Sequence, residues 1–176
     1  TALAADPSRT AARRAMTLAR DAGALTVLDI DYRAYTWSDA GEAARICLDA
    51  ARAADIIIGN DDEFGLLAGG HDQGPALARD LAQGALFSIL KLGATGSRTF
   101  TPDYSFVTPI FPVTALKPMG AGDGFMGGLL AGLAQGHTLQ TSVRRGAATA
   151  ALIVAGVGCA PASPDTATLD AFLARH

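Results

Sequence analysis

Gly120-Ala121-Gly122-Asp123-Gly124 sets an acid inside a glycine-flanked turn at the head of a small-residue run that reads as helix. The first N–H groups of a helix lack partners within it, and the positive end of its dipole falls at the same point. Such a turn therefore holds an anion. Asp123 adds a carboxylate beside that anion, and an anion cradle next to a carboxylate suggests phosphoryl transfer to a hydroxyl. Two other glycine motifs compete. Gly122-x-Gly124-x-x-Gly127 has the spacing of a dinucleotide fingerprint, which also needs an acid about 20 positions on. The next acid is Asp165, beyond a stretch (138–155) that reads as helix, so the match is accidental. A P-loop is excluded because no Gly-Lys-Ser/Thr occurs. Close packing of a helix on a sheet would explain Gly127, Gly128 and Gly132 but not Asp123.

Three further clusters carry chemistry. Asp29-Ile30-Asp31-Tyr32-Arg33 closes an apolar strand, and in an extended chain Asp29, Asp31 and Arg33 share one face on which two acids and a guanidinium would meet a ligand. An internal ion pair closing the loop is the equal alternative. Asn60-Asp61-Asp62-Glu63 opens a helix, with Asn60 and Glu63 on one side of its first turn; a plain N-cap followed by acids explains it as well. Lys91-Leu92-Gly93-Ala94-Thr95-Gly96 ends another strand, where glycines allow a close backbone approach or simply a turn.

The elements that must position these groups alternate. Helices are expected at 10–22 (opened by Asp6-Pro7-Ser8), 39–53, 61–68, 75–83, 125–136, 139–155 and 166–174, and buried strands at 25–30, 55–58 and 86–90. After Gly93 the texture turns to Thr, Phe, Tyr and Val with Pro102, Pro109 and Pro112, which reads as antiparallel edge strands, and 111–116 reads as a β-type run into the central turn. The alternation implies an α/β fold with a mostly parallel sheet.

Composition bounds the function. The 176 residues are 49% hydrophobic and 18% charged, with a net charge of -3 that leaves no footprint for nucleic acid. Arg13-Arg14 and Arg144-Arg145 read as helix surface. The apolar stretch 125–134 is too short and glycine-rich to span a membrane. Cys47 and Cys159 lack metal-ligand spacing and are expected to be buried free thiols of a reducing compartment, the cytoplasm. His71, His137 and His176 are expected to be solvated. Trp37 lies in the aromatic-dense run 32–37 of a chain only 6% aromatic and is read as a packing anchor.

Gly120-Ala121-Gly122-Asp123 ahead of a small-residue helix resembles the C-terminal signature of the ribokinase-like (PfkB) carbohydrate kinases, and the other three clusters fall in that family's order. The resemblance implies a three-layer α/β/α ribokinase-like domain with a mostly parallel sheet and an antiparallel edge. It also implies ATP-dependent phosphorylation of a sugar hydroxyl, with Gly120, Ala121 and Gly122 forming the anion hole and Asp123 acting as base. By the same resemblance Lys91, Gly93 and Gly96 serve the nucleotide, with Ala147 and Ala151 beside the adenine. Asn60 and Glu63 help place Mg2+, and Asp31 and Arg33 meet the substrate. Two departures stand out. Asp31 occupies a position where Asn is common, and Lys117-Pro118-Met119 replaces an Asp-Thr-Thr whose acid helps hold an activating monovalent cation, so no such cation is expected.

Lys91, Lys117 and the run from Asp29 to Trp37 resemble a subgroup that acts on a sugar acid of inositol catabolism, with Arg33 as partner of the acid group. A kinase of a related keto-deoxy sugar acid (2-keto-3-deoxygluconate), or any other sugar kinase on the same scaffold, is the alternative within enzymes, and a nucleotide-binding module without turnover is the alternative outside them. The chain opens without Met and moves straight into a helix. Residues 1–176 are therefore expected to be one kinase domain whose N-terminal part and lid lie upstream, with a homodimer as a further expectation.

Overall fold

Two runs of buried apolar residues set the sheet. In β2 (Ile56–Asn60) and β3 (Phe87–Lys91) four successive residues are buried, and the polar Asn60 and Lys91 end each strand half-exposed. Continuous burial is what a parallel strand covered on both faces needs. The structure, a computed structural model, describes residues 2–117, 119–158 and 160–176, arranged as two compact units: Thr1–Gly93 with Ser97–Phe106, and Ala94–Gly96 with Val107–His176.

In the first unit β1 (Val27–Asp29) pairs parallel with β2, β2 parallel with β3, and β4 (Ser97–Phe100) antiparallel with β3. β5 (Ser105–Thr108) follows at the edge, giving the order β1-β2-β3-β4-β5. This is the mostly parallel sheet with an antiparallel edge that the alternation implied. Four helices accompany it: α1 (Ser8–Asp21), α2 (Ala40–Ala53), α3 (Asp61–Ala68) and α4 (Gly74–Ala82). Ile30, Ile57, Leu90 and Phe100 of the sheet form one core with Ile46, Cys47, Phe64 and Leu81 of the helices.

The helix starts follow from capping. Asp39 accepts the N–H of Glu42 at 2.6 Å to open α2, whose buried residues fall at Ala43, Ile46, Cys47, Ala50 and Ala51, one helical stripe. α1 buries no residue fully and is tied down by Arg9, which donates to the Leu3 carbonyl at 2.8 Å and pairs with Glu42 at 3.1 Å. The Arg9 guanidinium also lies 5.6 Å over the ring of Trp37, which packs on the core as an anchor. Cys47 is a free, buried thiol that burial holds above the ordinary thiol range. Cys159 lies outside the described residues, as does Pro118.

The second unit holds α5 (Ala121–Ala134), α6 (Leu139–Ala155) and α7 (Thr166–Ala174). Here two expectations change. The neighbour that Gly128 and Gly132 admit is a helix: a side-chain carbon at Gly132 would stand 2.9 Å from Ser142 Oγ of α6, and one at Gly128 would strike Thr149. Gly127 faces open space. The run 111–116 forms no strand, because Pro109 and Pro112 supply no N–H to a ladder and Phe111 instead packs into a core with Ala148, Ala151, Leu169 and Phe172. Among the described residues Leu116 alone of this run bonds a neighbouring main chain, through its N–H to the Val154 carbonyl at 2.8 Å, with Lys117 donating to the same oxygen at 3.3 Å.

Candidate active site

α5 begins where the sequence places the anion cradle. Gly120 caps it at φ 86°, a left-handed conformation that costs a residue with a Cβ roughly 1–2 kcal/mol. The first bond of the helix runs from the N–H of Gly124 to the Gly120 carbonyl at 2.9 Å. The N–H groups of Ala121, Gly122 and Asp123 precede it, no side chain caps them, and among the described residues no acceptor takes them. Asp123 is exposed, in the first turn of the same helix. The two arrangements that would have removed the chemistry, a carboxylate turned inward or amides already bonded, are both absent among the described residues.

Asp123 lines a cavity of about 380 Å³ with Gly120, Gly124, Gly127, Thr149 and Arg145. Arg145 was missed at the level of sequence. Of the pair read as helix surface, Arg144 is exposed and lies 5.3 Å over the Phe111 ring, but Arg145 is only 5% exposed and is held by Asp170 of α7 at 2.5 Å. The signal was periodicity. Ser142, Arg145, Thr149 and Ile153 form one buried stripe of α6, so the inward face of that helix passes through Arg145. Ala151 is buried among Phe111, Leu169 and Phe172, with Ala147 half-buried against them, and neither lines the cavity beside Asp123.

Asp29, Asp31, Arg33, Asn60, Glu63 and Lys91 belong to the first unit and gather where β1, β2 and β3 end. The expectation that Asp29, Asp31 and Arg33 converge is overturned by the backbone. Asp31 takes φ 44°, so the chain turns there and the alternation of an extended strand ends at Ile30. Asp29 pairs instead with Lys91 at 3.5 Å, and Asp31 pairs with Arg33 at 2.7 Å. The Arg33 guanidinium also donates to the Tyr32 carbonyl at 3.1 Å and is about half exposed.

Asn60 and Glu63 form a full capping box. Asn60 Oδ1 accepts the N–H of Glu63 at 2.8 Å, and Glu63 Oε2 accepts the N–H of Asn60 at 2.7 Å. The other carboxylate oxygen, Oε1, accepts the N–H of Tyr32 at 3.1 Å. Glu63 is 4% exposed, and burial raises its pKa against the pull of the Asn60 N–H, the nearby Lys91 and the Tyr32 N–H. Both of its oxygens serve the main chain, so it has no open face for direct metal ligation. His71, expected to be solvated, is exposed and stands 3.6 Å from Asp61, with Asp62 close by.

Gly93 (φ 56°) and Gly96 (φ 96°) bound a short turn after β3. At Gly96 the need for glycine is steric as well, since an added carbon would strike the Thr108 carbonyl oxygen. Among the described residues no helix is long and apolar enough to cross a membrane.

The sequence pattern of the pfkB family carbohydrate kinases matches residues 2–166. A 5-dehydro-2-deoxygluconokinase of Photobacterium profundum is 39% identical over 98% of this chain and 54% of its own length. One from Geobacillus kaustophilus is 33% identical over the whole of this chain and 54% of its own. The chain thus spans about half the length of the curated relatives it matches. Among solved structures, a fructokinase of Vibrio cholerae with fructose, ADP and calcium bound aligns with a TM-score of 0.88 at 28% identity, covering 98% of this chain and 58% of that one. An aminoimidazole riboside kinase of Salmonella enterica, complexed with aminoimidazole riboside and an ATP analogue, aligns at 0.87 and 28% identity, covering 98% and 60%.

Proposed function

We propose, from the premise that this chain belongs to the pfkB family of carbohydrate kinases, that it carries the phosphoryl-transfer centre of an ATP-dependent kinase for a sugar acid, with 5-dehydro-2-deoxygluconate as the favoured substrate. The observation that carries the reading is the uncapped start of α5, where free amides and the exposed Asp123 carboxylate share one helical turn. Asp123 accepts the proton of a primary hydroxyl as its oxygen forms a bond to the γ-phosphorus of ATP. The bond from that phosphorus to the β,γ-bridging oxygen breaks, and ADP leaves with the electron pair. The N–H groups of Ala121, Gly122 and Asp123 meet the charge on the equatorial oxygens of the phosphoryl group in flight.

Within the second unit, the unpaired amide cradle at the start of α5 suits the transferred phosphoryl group of a nucleoside triphosphate; the roles of Lys91, Gly93 and Gly96 toward the nucleotide rest on the family resemblance. Magnesium would neutralise charge on the phosphates. Asn60 and Glu63, whose oxygens hold the main chain, contribute through the turn they fix. Arg33 meets the substrate carboxylate by exchanging one acid partner, Asp31, for another. Lys117 stands where an acid would help hold a monovalent cation. Potassium added at constant ionic strength therefore leaves the rate unchanged, and clear stimulation would refute that part of the reading.

The sugar-acid assignment draws on the relatives named 5-dehydro-2-deoxygluconokinase at 33–39% identity. A second reading, a nucleotide-binding module without turnover, is favoured by one observation: the chain covers 54% of those relatives. Titration calorimetry with ATP, run beside a coupled ADP-release assay on a panel of sugar acids and neutral sugars, tests both. Turnover with preference for 5-dehydro-2-deoxygluconate supports the first. ATP binding without turnover selects the second, and no ATP binding removes both.

A further inference from the structure

Asp29 and Lys91 sit on different strands with β2 between them. The register sets Asp29 level with Ile58, and Lys91 level with Asn60 two residues further on, so all four side chains belong to one face of the sheet. Neighbouring strands lie about 4.8 Å apart, which puts the two backbones roughly 10 Å apart or more. The lysine stem must therefore lie nearly extended across β2 for its Nζ to come within 3.5 Å of Asp29 Oδ1, as it does. Neither partner is a free surface group, the side chains being 21% and 30% exposed. Glu63, which caps α3 at the same strand ends, feels both charges, Lys91 lowering and Asp29 raising its pKa.

A lysine ammonium is a compact charge on a flexible four-carbon stem, and a stem ordered before the ligand arrives loses less freedom on binding. We propose that Asp29 is a positioning residue that holds the Lys91 ammonium over the end of β2, ready for nucleotide phosphates. This rests on the reading of Lys91 as a nucleotide-binding residue. Asp29 has two opposed effects on a phosphate: it orders the cation, and its own negative charge repels the ligand. Because that charge is already paired, ordering dominates, and removing Asp29 weakens binding.

Titration calorimetry of this chain with ATP, ADP and adenosine tests the assignment in wild type, Asp29→Asn, Lys91→Met, Lys91→Arg and the Asp29→Asn/Lys91→Met double variant. Lys91→Met weakens ATP about tenfold and Asp29→Asn about threefold, with the double variant no worse than Lys91→Met alone, as for two residues acting through one contact. Lys91→Arg retains most of the affinity. ADP shows a smaller loss than ATP, and adenosine shows none. Equal losses for adenosine and ATP would indicate damage to the fold and overturn the inference. ATP binding weakened in Lys91→Met but unchanged or tighter in Asp29→Asn overturns the positioning role alone. ATP affinity unchanged in Lys91→Met removes the nucleotide role of Lys91 and this inference with it, and a wild-type chain that binds no ATP removes the functional reading itself.

Discussion

The main-chain N–H of Tyr32 donates to Glu63 Oε1 at 3.1 Å, so the carboxylate that caps α3 also holds the loop after β1. Through its other oxygen Glu63 takes the N–H of Asn60 at 2.7 Å, and one side chain thereby fixes the ends of two neighbouring strands. Glu63→Ala removes half of a capping box and strands two partly buried donors. The loss should be about 2–3 kcal/mol in urea unfolding, a cap being worth about 1 and an unsatisfied buried donor about 1–3. Glu63→Gln keeps one acceptor and should lose less. Equal stability of wild type and Glu63→Ala would mean that water satisfies those donors and that the carboxylate is no clamp.

Asp123→Asn separates binding from chemistry. The substitution keeps the size of the side chain and leaves the amides of Ala121 and Gly122 uncapped, but it cannot accept the hydroxyl proton. Turnover should fall by about 10²–10⁴, the usual contribution of a general base, while ATP affinity changes little. Single-turnover measurements beside calorimetry check it. A variant that keeps wild-type turnover would deny Asp123 the role of base.

The parts of this molecule visible in its sequence are those fixed by local physics. The apolar runs of β2 and β3, the cap at Asn60 and the glycine turn at Gly120 each act within a few residues, and each stands within a few positions of its expected place. What was not visible depends on partners far along the chain. Arg145 reads as surface until Asp170, 25 residues later, supplies a carboxylate that lets it be buried. The run 111–116 has strand-like composition, yet the aromatic core with Phe172 takes Phe111 and no ladder forms. Asp29 and Arg33 were expected to meet because extension was assumed through Asp31, whose φ of 44° sends them to different partners.

Arg33 offers a test of substrate class. Its ion pair with Asp31 at 2.7 Å is half-exposed, so exchange of that acid for a substrate carboxylate costs little. Arg33→Ala should raise KM for a sugar acid at least about tenfold and change KM for a neutral sugar analogue about twofold or less, since charge-assisted bidentate contacts exceed neutral ones. Comparable changes for both substrates would reduce the pair to a device that closes the loop, the alternative that the motif itself allowed.

Asp55 links the starts of β1 and β2. Its Oδ2 accepts the N–H of Thr26 at 2.7 Å and the Thr26 hydroxyl at 2.8 Å, and these two bonds lower its pKa below the ordinary aspartate value of 3.8. The unfolded chain lacks them. The folded state therefore binds protons less readily than the unfolded one, and the stabilisation is present above the unfolded value and is lost as pH falls through the folded one. Asp6 and Asp165, lowered by bonds from Thr10 and Thr168, act in the same direction at helix starts. Asp55→Asn should be less stable than wild type near neutrality. The gap between them should narrow as urea midpoints are followed from about pH 6 down through and below the ordinary value of 3.8, because protonation takes from the wild type what the substitution has already removed. A gap that stayed constant over that range would mean that the carboxylate is worth no more than an amide to Thr26, and the link between the two strands would then rest on the Thr26 carbonyl, which accepts the N–H groups of Asp55 and Ile56 at 3.1 Å.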